Sequence, residues 1–311
     1  MRILILSDIH IMLMNPVAWV SDYRTAMKES LRWIRRLIRK DKIDLVLCAG
    51  DVFHKDTLRR RSLIVRSIVY ALNNLPNMYG IVGNHDLVGN TMLNLEKSMI
   101  APLISAGKYK LLQKPSIFPV DNGMDIEVFG YSYGEEITEP PSDADNPTFR
   151  IAVWHQLVTE GDSMFPDSIT ASEVLDMYGD WFDLIITGDN HKRFTVSENG
   201  NCRAKGLYNP GSMMRMTASQ MDMVPQIQVY NTEENTMTAH AIPCAKWEMT
   251  REHLDIDTGK KERFAELTKT IQENGAVTVN FVKNVRTHLK KLKDINSEVS
   301  ELINEAMGEL L

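Results

Sequence analysis

The chain has 311 residues, 43% of them hydrophobic and 24% charged, which is ample material for two domains, or for one large domain with an appendage. A formal net charge of −6 excludes a bulk polycation that coats nucleic acid, while leaving room for a local basic groove. Three cysteines, Cys48, Cys202 and Cys244, with no C-x-x-C pair exclude a disulfide framework and fit a reducing compartment. The opening MRILILSDIH is too short an apolar run for a signal peptide, and no stretch approaches the ~20 apolar residues of a membrane span, so a cytoplasmic protein is expected.

Taken in chain order, short β-branched apolar runs predict strands at residues 2–6, 43–49, 78–82, 126–130, 150–154 and 184–187. Helical patterns separate the first three, at residues 22–40, with Leu31, Ile34, Leu37 and Ile38 on one face, and at residues 57–73. This alternation predicts an α/β layered fold with largely buried strands. Further strands are expected at 203–209, 226–231 and 236–242, after an acidic, proline-containing loop at 134–147. A small module follows, with a strand at 249–257, a helix at 260–274 and a strand at 276–282, and a last helix at about 286–310 closes the chain. The expected division is 1–243, a cap-like module at 244–284, and a C-terminal helix at 285–311 that could dock a partner.

Chemistry gathers where the strands end. The first runs into Asp8-Ile9-His10, the second into Gly50-Asp51-Val52-Phe53-His54, and the third into Gly83-Asn84-His85-Asp86. Later strands end in Trp154-His155 and in Gly188-Asp189-Asn190-His191. A single D-x-H is usually a polar turn, but a series of such ends can converge on one crevice at the carboxyl edge of a sheet. Carboxylate, imidazole and amide ligands with no cysteine suit two hard-to-borderline divalent ions, not a structural zinc. Two such ions can bind both oxygens of an in-line phosphoryl displacement and acidify a water between them.

The order D-x-H, G-D, G-N-H-D, a lone His and G-x-x-H resembles the calcineurin-like metallophosphoesterases. Within them it is similar to the SbcD-type DNA double-strand-break repair nucleases, through Asp51-Val52-Phe53-His54 and the element Asn209-Pro210-Gly211-Ser212-Met213-Met214-Arg215. The motif order covers about residues 1–230. The resemblance implies a four-layer αββα sandwich. It implies Asp8, His10, Asp51 and His191 on one metal, and Asp51, Asn84, His155 and Asp189 on the other, with Asp51 bridging. Manganese is the expected ion, with magnesium as the alternative. His85 would protonate or stabilise the leaving oxygen, Asp86 would orient His85, and His54 would lie near the substrate strand. Asn209 and Arg215 are candidate phosphate contacts. The family usually has histidine where Asp189 stands, so the anionic ligand count rises from two to three.

The remaining features have bland readings. Arg32, Arg35, Arg36 and Arg39 read as a solvated helix face. Arg59, Arg60 and Arg61 follow a metal loop and are either solvated or set to grip DNA phosphates. The methionines at 213, 214, 216, 221 and 223 read as core filling or a mobile loop, and His240, His253 and His288 fall outside every motif. The resemblance implies a DNA exonuclease or endonuclease, a homodimer, and an SbcC-type ATPase partner, with no membrane role. Two alternatives stand beside it. One is a phosphatase or small-molecule phosphodiesterase on the same dinuclear site; the other is a catalytically impaired protein that binds DNA or a partner.

Overall fold

The computed structural model of the chain describes residues 1–54, 61–113, 115–120, 125–141, 148–161, 165–197, 206–252 and 254. Two six-stranded sheets dominate them. The first takes β1 (Arg2–Leu6), β2 (Leu45–Cys48), β3 (Met78–Gly80) and β4 (Tyr109–Leu111) as parallel neighbours, and continues beyond β1 through antiparallel β13 (Gln226–Asn231) and β14 (Thr236–Ala241). The second is built around parallel β6 (Asp125–Tyr131), β7 (Thr148–Trp154), β10 (Leu184–Thr187) and β12 (Gly206–Asn209). Antiparallel β5 (Ser116–Pro119) and β11 (Phe194–Ser197) form its edges. A two-stranded ribbon, β8 (Val158–Thr159) with β9 (Ile169–Thr170), lies outside them.

Side-chain alternation explains the layering. In β1, Ile3 and Ile5 join Leu45, Leu47 and Ala49 in a core whose other half is Ile126, Val128, Ile151, Val153, Leu184 and Ile186 of the second sheet. The odd face of β1 therefore meets the opposing sheet. Its even face, Leu4 and Leu6 with Val46 and Cys48, meets α1 (Tyr23–Lys40) and α2 (Arg61–Asn74). α1 buries Tyr23, Ala26, Met27, Ser30, Leu31, Ile34 and Leu37, the 3–4 spacing of one helical face. Each large apolar side chain so buried contributes roughly 1.5–3 kcal/mol. On the far side, α4 (Ala171–Tyr178) covers Ala152, Trp154 and Ile185 with Ala171, Val174 and Leu175. A helix also follows β3 as α3 (Ala101–Ser105), placing Leu103 in the first helical layer. The result is the expected αββα sandwich.

Each strand predicted before residue 188 is present within a few residues, as are the two long helices so far as they are described; the start expected for the second at residue 57 falls outside the described residues. The short elements β4, β5, β8, β9, β11, α3 and α4 are additional. Strands of two to four residues are shorter than any window in which alternation can be read. α4 carries a legible signal nonetheless: Thr170 and Glu173 form a reciprocal capping box at its N-terminus.

The chain divides into two compact units, Met1–Thr250 and Arg251–Leu311. Of the second, only Arg251, Glu252 and Leu254 are described, so most of the expected 244–284 module, the terminal helix, His253 and His288 lie outside the described residues. Met213, Met214 and Met216 are buried and fill the core under α1, and Tyr23 Oη donates to Met216 Sδ at 2.8 Å. Among the described residues no helix is long and apolar enough to cross a membrane.

Candidate metal centre

The parallel strands β1, β2, β3, β7 and β10 deliver their polar residues to one edge of the sandwich, and the backbone keeps the loops in register beyond the strands. Asp8 N–H donates to Gly50 O (3.1 Å), His10 N–H to Asp51 O (3.0 Å) and Ile11 N–H to Val52 O (2.8 Å). On the second sheet, His155 N–H donates to Tyr131 O and Gly188 N–H to Trp154 O, each at 3.0 Å. Four of these residues, Asp8, His10, Asp51 and Asp189, take left-handed backbone with φ of 49°, 48°, 54° and 73°. Such conformations cost of order 1 kcal/mol or more and persist only where surroundings over-determine them. Gly50 has φ +97°, and a Cβ there would stand 2.5 Å from His155 Nδ1. A Cβ on Gly83 would collide with the Asp51 carboxylate, so this glycine makes the space in which Asp51 sits.

Three clusters of ligand-type atoms result among the described residues, each spanning no more than 4.8 Å: Asp8, His10 and His191; Asp51, His155 and Asp189; and His10, His54 and His85, of which the first two carry the carboxylates. His10 Nε2 and His191 Nε2 lie 2.9 Å apart, and each is 3.7 Å from Asp8 Oδ1. His155 Nε2 is 3.6 Å from Asp51 Oδ1 and 3.9 Å from Asp189 Oδ1. Asp51 Oδ2 is 3.8 Å from His10 Nε2, so its two oxygens face the first two clusters. His54 and His85 stack at a ring separation of 5.2 Å and meet His10 edge-on at 5.4 and 4.9 Å.

These side chains fit divalent cations. Both oxygens of Asp8, Oδ2 of Asp51, Oδ1 of Asn84 and Nε2 of His155 are buried without a hydrogen-bond partner, which is rare and costly for polar atoms. The imidazole of His155 is set for a ligand's role: its Nδ1 donates to Ala49 O at 2.6 Å, which leaves the Nε2 lone pair facing Asp51 and Asp189. Burial, then the charges of Asp8 and Asp86, pushes the Asp51 carboxyl well above its ordinary range. Burial also raises Asp8, and burial with the neighbouring His191 and His85 holds His10 well below its ordinary value. Crowded carboxylates with neutral imidazoles form a donor set that positive charge would stabilise.

Several residues have other tasks than the sequence implies. Arg215 is expected on phosphate, but its guanidinium donates to three backbone carbonyls: Met221 (2.8 Å), Trp247 (3.0 Å) and Cys244 (3.3 Å). Asn209 is fully buried, and its amide donates to the carbonyls of Asn190 (2.8 Å) and Lys192 (3.0 Å). Both act as braces: Asn209 spends both amide N–H groups on backbone carbonyls, and Arg215 spends three of its five donors the same way. The rest of their motif ties the two sheets together: Ser212 N–H donates to His191 O (3.1 Å) and Met213 N–H to Asp8 O (3.2 Å). Asp86 accepts the N–H groups of Phe53 (2.8 Å), Gly83 (3.1 Å) and Val52 (3.2 Å), so it locks the Asp51 loop to the Asn84–His85 loop and acts on His85 through the backbone. His85 N–H in turn donates to Asp51 Oδ1 at 2.9 Å. Arg59 and Arg60 lie outside the described residues, as does the side chain of Arg61.

Tyr133, just beyond β6, is a neighbour of the centre that the sequence does not flag. Its ring meets His155 edge-on at 6.3 Å. A search for Asp, Asn and His at strand ends passes over it, and only the position of β6 beside β7 would have pointed to it.

The sequence profile of the calcineurin-like phosphoesterases matches residues 1–193. The chain belongs to the calcineurin-like phosphoesterase family. It is accordingly a metal-dependent hydrolase of a family built on dinuclear centres. A comparison with curated proteins gives no match. Among solved structures, a dimetal phosphatase from Danio rerio aligns with a TM-score of 0.51 and 11% identity, over 80% of this chain and 98% of that one, a likeness of fold. A Staphylococcus aureus protein named as a candidate 5′-nucleotidase, in complex with alpha-ketoglutarate, aligns at 0.49 and 13% over 80% of this chain. The phosphoesterase spans about half, 53%, of that protein's length. An archaeal phosphodiesterase aligns at 0.38 and 14%, over 78% and 99% of the two chains.

Three measurements follow from this geometry. Asp86→Asn should cost about 2 kcal/mol, because an amide turns a donor toward N–H groups that now meet an acceptor; urea unfolding of the metal-free protein reads it, and unchanged stability would sink the bracing role. Arg215→Lys should lower stability by roughly 1.5–3 kcal/mol with KM unchanged, since an ammonium cannot span three carbonyls; a raised KM at unaltered stability would restore the phosphate contact. The third concerns metal and pH. Asp8, Asp51 and Asp86, the last at about 6, have folded values above the ordinary carboxyl value, so they bind protons more tightly folded than unfolded. The metal-free protein therefore loses their contribution as pH rises from about 4 through those raised values, while manganese binding must displace the protons. Manganese at about 100 Kd should stabilise by roughly 2.7 kcal/mol where the carboxyls are charged, raising Tm by several degrees at pH 7.5 and by less at pH 5.5. Equal shifts at both values would place the ions elsewhere.

Proposed function

We propose that this phosphoesterase is a phosphodiesterase acting on DNA, a nuclease of the SbcD type, with Asp8, His10, Asp51 and His191 holding one divalent ion and Asp51, Asn84, His155 and Asp189 the other. The observation that carries the diester reading is the charge of the donor set. Asp8, Asp51 and Asp189 bring three carboxylates, whereas two divalent ions bring four positive charges. One net positive charge matches the single negative charge of a phosphodiester better than the near-double charge of a phosphomonoester. No described arginine or lysine makes up the difference: Arg215 is spent on carbonyls, Arg193 is exposed, and Lys192 is exposed and paired with Glu160 at 3.8 Å.

When bound, the ions would supply an activated water and stabilise charge on the transferring phosphoryl group. The chain's own residues do the rest. Asp51 sets the spacing of the two clusters, and the Ala49 carbonyl fixes the tautomer of His155. His85, anchored through its backbone to Asp51, would hold a proton for the leaving sugar oxygen, an alkoxide that departs poorly without one. His54, stacked on His85, would border the same phosphate. A small-molecule diester meets the same charge balance. In the DNA reading the chain works as a homodimer with an SbcC-type ATPase.

A gel assay with manganese on end-labelled linear duplex and circular single-stranded DNA tests this, beside bis(p-nitrophenyl) phosphate and p-nitrophenyl phosphate. Wild type should cleave DNA and prefer the diester, with Asp51→Asn and His85→Ala each reduced by about 100-fold or more. Hydrolysis of the small diester alone would assign a small-molecule phosphodiesterase. Preference for the monoester would sink the charge argument, and silence on every substrate would leave an impaired site.

A further inference from the structure

The second concentration of charge lies at the other end of the same strands. β2, β3 and β4 are parallel, and their C-terminal ends face the metal centre side of the sheet. Around their N-terminal ends, at Asp44, Met78 and Lys108, opens a cavity of about 440 Å³, the size of a small-molecule site. Its floor is apolar, with Ile38, Ile43 and Pro76, and its rim carries Arg35, Arg39, Lys108 and Lys110. None of these four cations forms an ion pair among the described residues. Arg35 donates to Asn73 O at 3.3 Å, and Lys110 donates to Tyr79 Oη at 2.9 Å while lying 4.7 Å over that ring. The only carboxylate on the lining is Asp44, and one of its oxygens already accepts Arg2 N–H at 2.7 Å.

The C-terminus of α1 points toward this end, and Arg39 and Lys40 lie in its last turn, where they offset the negative end of the helix dipole. That accounts for Arg39 but not for Arg35 or for the two lysines, which come from other positions. Lys108 is half-buried, and burial together with Arg35 holds its ammonium below its ordinary value, the mark of cations that repel one another. In a chain whose net charge is −6, four cations around one concavity are a local reversal of sign.

We infer that this cavity binds a phosphate-bearing organic anion of nucleotide size, its phosphates held by Arg35, Arg39, Lys108 and Lys110 and its less polar part resting on the Ile38, Ile43 and Pro76 floor. The ligand is either a free nucleotide or a nucleotide unit of a strand. A strand could extend into an adjoining cavity of about 600 Å³ that shares Asp44 and adds Arg2, Lys40 and Lys42, with Glu233 there paired to the N-terminal ammonium. The site does not depend on the metal centre, so its failure and that of the proposed activity are separable.

Isothermal titration in EDTA tests it, because without divalent ions the catalytic carboxylates repel phosphate. The probes are ADP and a ten-nucleotide single strand, at low and at 0.3 M salt, with protein as the full chain. Saturable binding of ADP or of the strand is expected, weakened at least tenfold in Arg39→Glu and in Lys110→Glu, and tightened severalfold in Asp44→Asn. Both cations are exposed, and circular dichroism melting verifies that each variant folds; the gain in Asp44→Asn cannot come from misfolding. ADP binding assigns a free nucleotide, and binding of the strand alone assigns a strand. Absence of binding by both probes, or binding that the three substitutions leave unchanged, overturns the inference. Hydrolysis of bis(p-nitrophenyl) phosphate with manganese should be the same in all three variants and wild type.

Discussion

The geometry of the phosphoesterase turns on one buried carboxylate. Asp51 lies between two ligand clusters, each drawn from both sheets, with one oxygen toward His10 and the other toward His155. It can do so only because Gly83 has no side chain, because Gly50 bends the chain with a left-handed conformation, and because Asp86 ties the loops on both sides. Removing a carboxylate from water costs several kcal/mol unless positive charge or donors meet it. Here Asp51 Oδ1 accepts the His85 amide, while Oδ2 is buried with no hydrogen-bond partner among the described residues. The rest of its compensation must come from cations, which makes the fold at this edge and the metal requirement one problem.

The sandwich supplies rigidity where that problem demands it. Ligands arrive on backbone that is hydrogen-bonded beyond the formal strand ends, and four of them occupy left-handed conformations that a mobile loop would relax. The Asn209–Met213 segment closes the arrangement from the second sheet to the first. Asn209 holds the carbonyls of Asn190 and Lys192, Ser212 holds that of His191, and Met213 holds that of Asp8. A displacement of either sheet would therefore be felt at both ligand clusters, because each carries residues from both.

Much of this was legible in the sequence, for physical reasons that also mark where legibility ends. Buried strands such as β1 and β10 are continuous apolar runs, and a polar residue at the end of such a run has few places to go but the sheet edge. Residue type therefore anticipated that Asp8, His10, Asp51, His155 and His191 gather at one edge. It was a poor guide to Arg215, Asn209 and Asp86, whose polar atoms bond backbone groups that only the folded chain brings near. Motif context marks such residues as belonging to the site without distinguishing a hand from a hinge. The same limit hid the role of Arg35 and Arg39: helical spacing placed them on a solvated face, and only the neighbouring strand ends, with Lys108 and Lys110, turn that face into the wall of a cavity.

A parallel sheet separates its two edges by the length of its strands, about 3.3 Å per residue, and here the edges carry opposite charge. The C-terminal edge concentrates Asp8, Asp51 and Asp189, so without metal it rejects phosphates and with two divalent ions it attracts them weakly. The N-terminal edge presents fixed cations whose attraction needs no metal. In the proposed reading, affinity for a phosphate chain and the capacity to cut it would lie at different ends of the same strands. With Asp189 present, two divalent ions would leave the C-terminal edge with one net positive charge, which in the proposed reading suits a diester. A fourth carboxylate would leave the loaded centre neutral, and replacing Asp189 by a neutral imidazole would restore two charges, favouring phosphomonoesters more than diesters.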